Sequence, residues 1–338
     1  MATTFDKQFF EIFEKDKAFI KSWLVAWDYQ LKRKKRNVKY AEGQLSDFFS
    51  YNGPEDLTKW MRWFSPVYPS YFSKTLTQPL SEESLENDRR ILSGLNLNYD
   101  FSSYHNNVGL NNAHDLLIPQ LYPVPERNQI KTILDFGAGY GRQANLWTSK
   151  TKDATYIGMD AIPNSYTLQN LYYNQLTSNV YDYIDSPGSF KFSSGKKGIY
   201  HVPTWRSDLI PADSVDMVMC VQVLPELNTR LVKHMLVEFE RMLKPGGMLY
   251  IRDHYEAWKP AGNFSINSFL NNNGFVLEFK PHIILDKDLH GIPKIWRKAD
   301  PEVMKSLTRP LKAKIKQLAE DADALSGGLL AKLKRSIK

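Results

Sequence analysis

The chain has 338 residues and a mass of 39.1 kDa, with 42% hydrophobic, 13% aromatic and 24% charged residues. That balance excludes disorder over most of its length and leaves room for one large domain or two modest ones. Eighteen glycines and eighteen prolines without a fixed period exclude collagen-like and repeat architectures. A net charge of +7 is a mild excess that favours anionic partners, whether phosphate, nucleotide-sugar, nucleic acid or membrane surface, without selecting one. No apolar run approaches the roughly 18 to 20 residues needed to span a bilayer. The densest stretch, Val215 to Leu224, still contains Asp216 and Gln222. The first residues, Met-Ala-Thr-Thr-Phe-Asp-Lys, lack the basic and apolar segments of a signal peptide. The single cysteine, Cys220, leaves no internal disulfide or cysteine-rich metal site and reads as a buried strand residue. These features lead us to expect a cytoplasmic protein without a transmembrane segment.

In chain order, Phe9, Phe10, Phe13, Ile20, Trp23, Leu24 and Trp27 recur at three- and four-residue steps, which predicts an amphipathic helix ending in the basic run Lys32 to Arg36. Pro54, Pro66, Pro69 and Pro79 divide the next stretch of chain into short pieces. A helix is expected over 81–95, with Ser81 as its N-cap and Glu82 and Glu83 in the first turn. Another is expected over 111–121, before a proline-rich turn. From Lys131 the pattern changes. Strands at 132–136, 155–159, 215–221 and 248–252 alternate with helices at 142–150, 166–176 and 229–243, as in a parallel sheet covered on both faces. A short helix near 266–272 and strands at 276–280 and 292–296 complete the alternation. The segment 177–204 reads as an inserted hairpin or flap over the site. The tail from Pro301 reads as a basic helix, with nine basic against four acidic residues, a net of +5. Leu329, Leu330, Leu333 and Ile337 give it an apolar stripe suited to its own domain, a partner or a membrane surface.

The strongest chemical signal is Ile133-Leu134-Asp135-Phe136-Gly137-Ala138-Gly139-Tyr140-Gly141-Arg142, a buried strand ending in an acid, a glycine-rich turn and then a helix. Glycines in such a turn permit tight curvature and close approach of backbone to ligand. Neither a nicotinamide fingerprint, which would want glycine at Arg142, nor a phosphate-cradling Gly-Lys-Ser/Thr is present. Asp160 ends the next strand, 25 residues after Asp135, where an acid can hold both hydroxyls of a ribose. Then come Trp205-Arg206-Ser207-Asp208-Leu209, the strand entry Asp213-Ser214-Val215-Asp216, and the turn Leu243-Lys244-Pro245-Gly246-Gly247-Met248.

In this order and spacing, the motifs resemble those of class I S-adenosylmethionine-dependent methyltransferases over roughly residues 130–297. The resemblance implies an α/β fold: a Rossmann-like, seven-stranded, mostly parallel sheet with an antiparallel last strand. Around it we expect a helical N-terminal cap over 1–125 serving as an acceptor-side lid, the methyltransferase domain over 126–300, and the basic helical tail over 301–338. The resemblance also implies S-adenosyl-L-methionine as cofactor. Asp135, Gly137, Ala138, Gly139 and Gly141 would lie under its methionine and ribose parts. Asp160, with Ala161 beside it, would take the ribose hydroxyls, Asp208 and Leu209 the adenine, and Gln222 would border the transfer pocket. Because this cofactor lacks phosphate and is cationic at amine and sulfur, acids and no lysine are what the turn requires.

For the acceptor, candidate proton-accepting groups lie just past the strands facing the cofactor: His254 first, since histidine titrates in the useful range, then Asp253 and Glu226. His290 and His105 are weaker candidates. The stretches Tyr156 to Tyr166, Leu168 to Tyr173 and His290 to Arg297 resemble the sugar O-methyltransferases of surface-polysaccharide and glycoside pathways, which implies a sugar hydroxyl on a small-molecule or glycan acceptor. Cys220 to Glu226 lacks paired acids, so no metal is expected. RNA or DNA, a small amine or protein, and a non-catalytic cofactor-binding scaffold remain as alternatives. Nucleic acid is disfavoured by the absence of an Asn/Asp-Pro-Pro-Tyr motif after the fourth strand.

Overall fold

A computed structural model describes residues 4–16, 51–63, 72–101, 107–120, 130–151, 153–224, 227–253, 264–279 and 291–300. The basic run 32–36, the tail 301–338, and His105, Glu226, His254 and His290 lie outside the described residues. Among the described residues the helices α1 (Thr4–Asp16), α2 (Asp56–Trp63), α3 (Lys74–Gly94) and α4 (Asn107–Gln120) come first. The alternating region is next: β1 (Thr132–Phe136), α5 (Ala144–Lys150), β2 (Thr155–Asp160), α6 (Pro163–Leu176), β3 (Val180–Asp182) and β4 (Gly198–Pro203). After a 3-10 turn at Thr204–Leu209 come β5 (Val215–Val221), α7 (Thr229–Met242), β6 (Leu243–Asp253), α8 (Ile266–Asn272), β7 (Phe275–Phe279) and β8 (Ile292–Lys298). No helix among the described residues is long and apolar enough to cross a membrane.

The strands form one sheet in the order β3-β4-β2-β1-β5-β6-β8-β7. Only β8 opposes the rest, pairing antiparallel with both β6 and β7, so the expectation of an antiparallel last strand holds. The sheet has eight strands rather than seven. The extra one comes from the segment read as a hairpin or flap: β3 and β4 are parallel, β4 pairs along its whole length with β2, and all six of its residues are buried. Its polar and glycine-rich approach, Ser193-Ser194-Gly195-Lys196-Lys197, hides a short core strand whose one ionisable residue buried among polar partners, His201, is satisfied by neighbours.

Side chains alternate across a strand, and here both faces are apolar. Leu134, Val218, Cys220 and Ile251 point to one face and meet Leu231, Met235 and Phe239 of α7. Ile133, Tyr156, Met217 and Tyr250 point to the other and meet Ile91, Leu116, Trp147 and Tyr172 of α3 to α6. Cys220 is buried, as expected, and burial pushes its thiol well above the ordinary range. Asp216 belongs to the opposite, amino-terminal edge. It accepts from the backbone of Lys131 and Thr132 at 3.0 and 2.8 Å and from Lys244 Nζ at 2.6 Å.

Helix α3 begins at Lys74, earlier than expected, and carries Pro79 inside it. Ser81 is not an N-cap. It is buried within the helix because α4 crosses there, and a Cβ on Gly109 would meet the Ser81 carbonyl at 2.6 Å. Helices α6 and α7 start by conventional means: Pro163 in the first turn of α6, and the Asn228 side chain accepting from Leu231 N at 2.9 Å in α7. The described helices α1 to α4 belong to the same compact unit as the sheet, which ends at Lys298.

Candidate cofactor and methyl-transfer site

The carboxyl ends of β1, β2, β5 and β6 converge, and the glycine turn fills the space after β1. Gly137, Gly139 and Gly141 take φ of +70°, +63° and +93°, the left-handed region that favours glycine. A side chain at Gly137 would overlap the Val223 methyls, and one at Gly141 would reach the Tyr173 ring at 2.6 Å. Gly137 N donates to Met159 O at 2.8 Å, which ties the turn to β2. Ala138 is buried beside it.

Asp135 lies beneath the turn, 1% exposed, and accepts from Tyr156 Oη at 2.6 Å. Burial raises its carboxyl to about 7, against the Tyr156 hydrogen bond and the Arg142 charge, which both act to lower it. Asp160 ends β2. Its Oδ1 accepts from Ala161 N and Ile162 N at 2.7 and 2.9 Å, and its Oδ2 from Gln169 Nε2 at 3.2 Å. Burial raises it to about 6 despite these donors. Gln222 comes just after β5 with φ +58°, an uncommon conformation for a side-chain-bearing residue, and its N donates to Arg252 O at 2.9 Å. Asp253 ends β6, fully buried and close enough to Cys220 to contribute to the thiol's shift. The turn, Asp135, Asp160, Gln222 and Asp253 therefore gather at one end of the sheet.

Asp208 stands apart. Its side chain is 63% exposed, and both oxygens meet Arg206, at 3.0 and 3.1 Å. Leu209, half-buried beside it, packs against the core. This corner is covered by α1: Phe9 and Phe13 contact Trp205 edge-on, and Asp16 accepts from Trp205 Nε1 at 3.1 Å and from Tyr183 Oη.

Two buried networks underlie the site. In the first, Asp115 of α4 accepts from Arg252 Nε and Nη2 at 2.6 Å each, Gln143 Nε2 at 2.5 Å, Tyr250 Oη at 2.8 Å and Arg142 Nη2 at 3.3 Å. Burial acts to raise its carboxyl, but the Arg252 and Arg142 charges prevail and hold it at about 2. In the second, Gln169 of α6 links Gly139 O, Asp160 and His201. Sequence reasoning singled out none of Asp115, Arg252, Gln169 or His201 as functional. His201 did leave a faint mark, an ionisable residue inside an otherwise apolar run. Among the described residues no group of three or more His, Cys, Asp or Glu side chains could hold a metal ion.

The left-handed glycines of the turn make room for Val223 and Tyr173, and the acidic side chains beneath and beside it, Asp135 and Asp160, are the kind a cationic ligand needs. Residues 134–251 match the family model described as "Methyltransferase domain". No curated protein matches the chain. Among solved structures, a SAM-dependent methyltransferase from Methanosarcina mazei is 17% identical, covering 54% of this chain and 97% of its own, with a TM-score of 0.37. One from Aquifex aeolicus is 14% identical, covering 55% and 89%, with a TM-score of 0.39. Magnesium protoporphyrin IX methyltransferase from Synechocystis PCC 6803, with bound SAM, is 14% identical, covering 69% and 100%, with a TM-score of 0.41. Residues 134–251, which carry the glycine turn, Asp160 and Gln222, thus resemble a methyltransferase domain.

Proposed function

We propose that this protein transfers a methyl group from S-adenosyl-L-methionine to a hydroxyl of a sugar or glycoside. The observation that carries the cofactor half of this reading is the left-handed glycine turn with the Asp160 carboxylate beside it. Gly137, Ala138, Gly139 and Gly141 would hold the methionine and ribose parts, with Asp135 supplying negative charge from below. Asp160, flanked by Ala161, would accept from the ribose hydroxyls. Asp208 and Leu209 would border the adenine, and Asp208 would then turn at least partly from Arg206. When bound, the cofactor supplies an electrophilic methyl on a positively charged sulfur.

The chain's own task is to place the acceptor oxygen about 3 Å from that carbon, in line, and to take its proton. Asp253 is buried at the end of β6, on the strand edge that faces the turn, and His254 is its immediate neighbour in the chain. In this reading the hydroxyl proton goes to His254 first, with Asp253 and Glu226 as the other candidate bases. Gln222 would border the pocket, and the N-terminal region would close it against water. The sugar assignment is supported by the sequence resemblance over 156–173 and 290–297.

Calorimetry with S-adenosyl-L-methionine on wild type and Asp160→Ala tests the cofactor half. Loss of a carboxylate that accepts two ribose hydroxyls should weaken binding about 100-fold. Equal affinity would remove Asp160 from the site, and a wild type that does not bind would remove the cofactor reading. Methyl transfer to nucleotide-sugars and glycosides tests the acceptor half. Transfer to RNA or to amines, with none to sugars, would overturn it.

A further inference from the structure

We infer that Gln169 is a positioning residue: it holds the glycine turn and Asp160 at the spacing the cofactor needs, and the Asp182–His201 pair fixes its orientation. The inference rests on the cofactor reading above.

Gln169 is fully buried. Its Nε2 donates to Gly139 O at 2.7 Å and to Asp160 Oδ2 at 3.2 Å, while its Oε1 lies 2.9 Å from His201 Nε2. The amide can face only one way. Gly139 O is a carbonyl and only accepts, so nitrogen must face it, and oxygen must face the imidazole. His201 Nε2 therefore donates. Its Nδ1 lies 2.6 Å from Asp182 Oδ2. Asp182 is an acceptor on every side: Oδ1 takes Ile184 N at 2.7 Å and Tyr166 Oη at 3.2 Å, and Oδ2 takes Asn170 Nδ2 at 2.9 Å. The Asp182 carboxyl thus fixes the other edge of the His201 ring. The ring is clamped in plane by Tyr166, stacked at 3.6 Å between centroids and 14° between planes. The result is a chain of oriented bonds from β3 through β4 to α6 that ends on the two elements of the cofactor cradle.

A buried amide that served only to fill space could be replaced by an apolar side chain of similar shape. Here that would release the carbonyl of a left-handed glycine and one oxygen of Asp160 together, and the cradle would lose its spacing rather than its core.

The test is calorimetry of the full chain with S-adenosyl-L-methionine for wild type, Gln169→Met and Gln169→Glu. Gln169→Met should keep its fold by circular dichroism and weaken binding at least about tenfold. Gln169→Glu carries its own signature, because a protonated carboxyl keeps the acceptor facing His201 and one O–H donor, against the two N–H donors of the amide. It should bind poorly at about pH 8 and recover in part, by at least about threefold, at about pH 5.5. Asp160, Asp182, His201, Tyr166 and Tyr173 also face this position, so wild type is titrated in parallel and its own trend subtracted. Wild-type binding with both variants within about twofold at either pH would overturn the inference, as would a Gln169→Glu that stays equally weak at both. A wild type that fails to bind would instead sink the cofactor reading, and this inference with it. If neither variant folds, nitrogen-15 NMR of wild-type histidine decides: a proton on His201 Nε2 supports the chain of bonds, and an Nε2 without one overturns it.

Discussion

Asp115→Asn removes one negative charge from beneath the site and leaves two guanidiniums there. Arg252 is 2% exposed and Arg142 4%, so neither can recover its lost partner from water. Breaking a buried pair from one side costs about 3 to 5 kcal/mol, because the remaining charge stays desolvated. The depression of the Asp115 carboxyl from 3.8 to about 2 accounts for roughly 2 kcal/mol of this as proton linkage, with the orphaned donors adding the rest. We expect urea unfolding of the unliganded protein to show a loss in that range, and a midpoint temperature lower by on the order of 10 °C. The sign with pH comes from a folded carboxyl held below its unfolded value. The stabilisation is fully present above about pH 4 and is lost as pH falls through about 2, so the wild-type and variant curves should converge only in acid. Asp115→Leu combined with Arg252→Met should recover at least half of the loss, since a matched apolar pair can replace a buried ion pair. A single variant within about 1 kcal/mol of wild type would refute the reasoning, as would a double variant no better than the sum of its singles.

Two further outcomes concern the site. Gly137→Ala forces a left-handed φ on a side-chain-bearing residue and drives its Cβ into Val223, so cofactor affinity should fall at least about tenfold. Val223→Ala should relieve part of that loss, and no relief in calorimetry would point to backbone strain alone. Asp135 has a folded carboxyl raised by burial from 3.8 to about 7, so the stability it contributes is full below about pH 4 and is lost as pH rises through about 7. Asp135→Asn should therefore be the more stable protein at about pH 8, by up to roughly 4 kcal/mol without cofactor, and should match wild type at about pH 4. Parallel urea midpoints across that range would exclude a buried, titrating Asp135.

The sheet was legible from sequence because its central strands are short, apolar and bounded by turn residues. β1, β2 and β5 fall within a residue of expectation, and the antiparallel β8 came from the resemblance to the methyltransferases. β4 escaped because its polar approach and internal histidine imitate a loop, and only the partners of His201 make that residue compatible with a core strand. Ser81 misled because a serine followed by two glutamates is a sound N-terminal signal locally. The crossing of α4 at Gly109, far along the chain, overrides it. In the site, glycines and acids at strand ends could be read because their spacing reflects local backbone geometry. Asp115, Gln169 and Arg252 could not be read that way. Their roles exist only where α4, α6 and β6 meet, and no local pattern encodes a meeting between residues 115 and 252.

Where the N-terminal region ends and the methyl-transfer machinery begins is also a physical question. The family match starts at residue 134, yet the core beneath that face of the sheet is shared with α3 and α4. Asp88 of α3 is fully buried and accepts from Tyr172 Oη at 2.6 Å and Asn145 Nδ2 at 3.0 Å, both inside the matched segment. Asp115 of α4 holds Arg142 and Gln143, the first residues after the glycine turn, and also Arg252, which precedes the Asp253 we place on the acceptor side. A lid that opens must break few buried polar bonds, because each broken one leaves a desolvated charge or donor behind. Helices α3 and α4 are bound too deeply for that. On the proposed reading, closure over the acceptor would fall to the rest of the N-terminal region, while α4 ties the turn after β1 to the carboxyl end of β6.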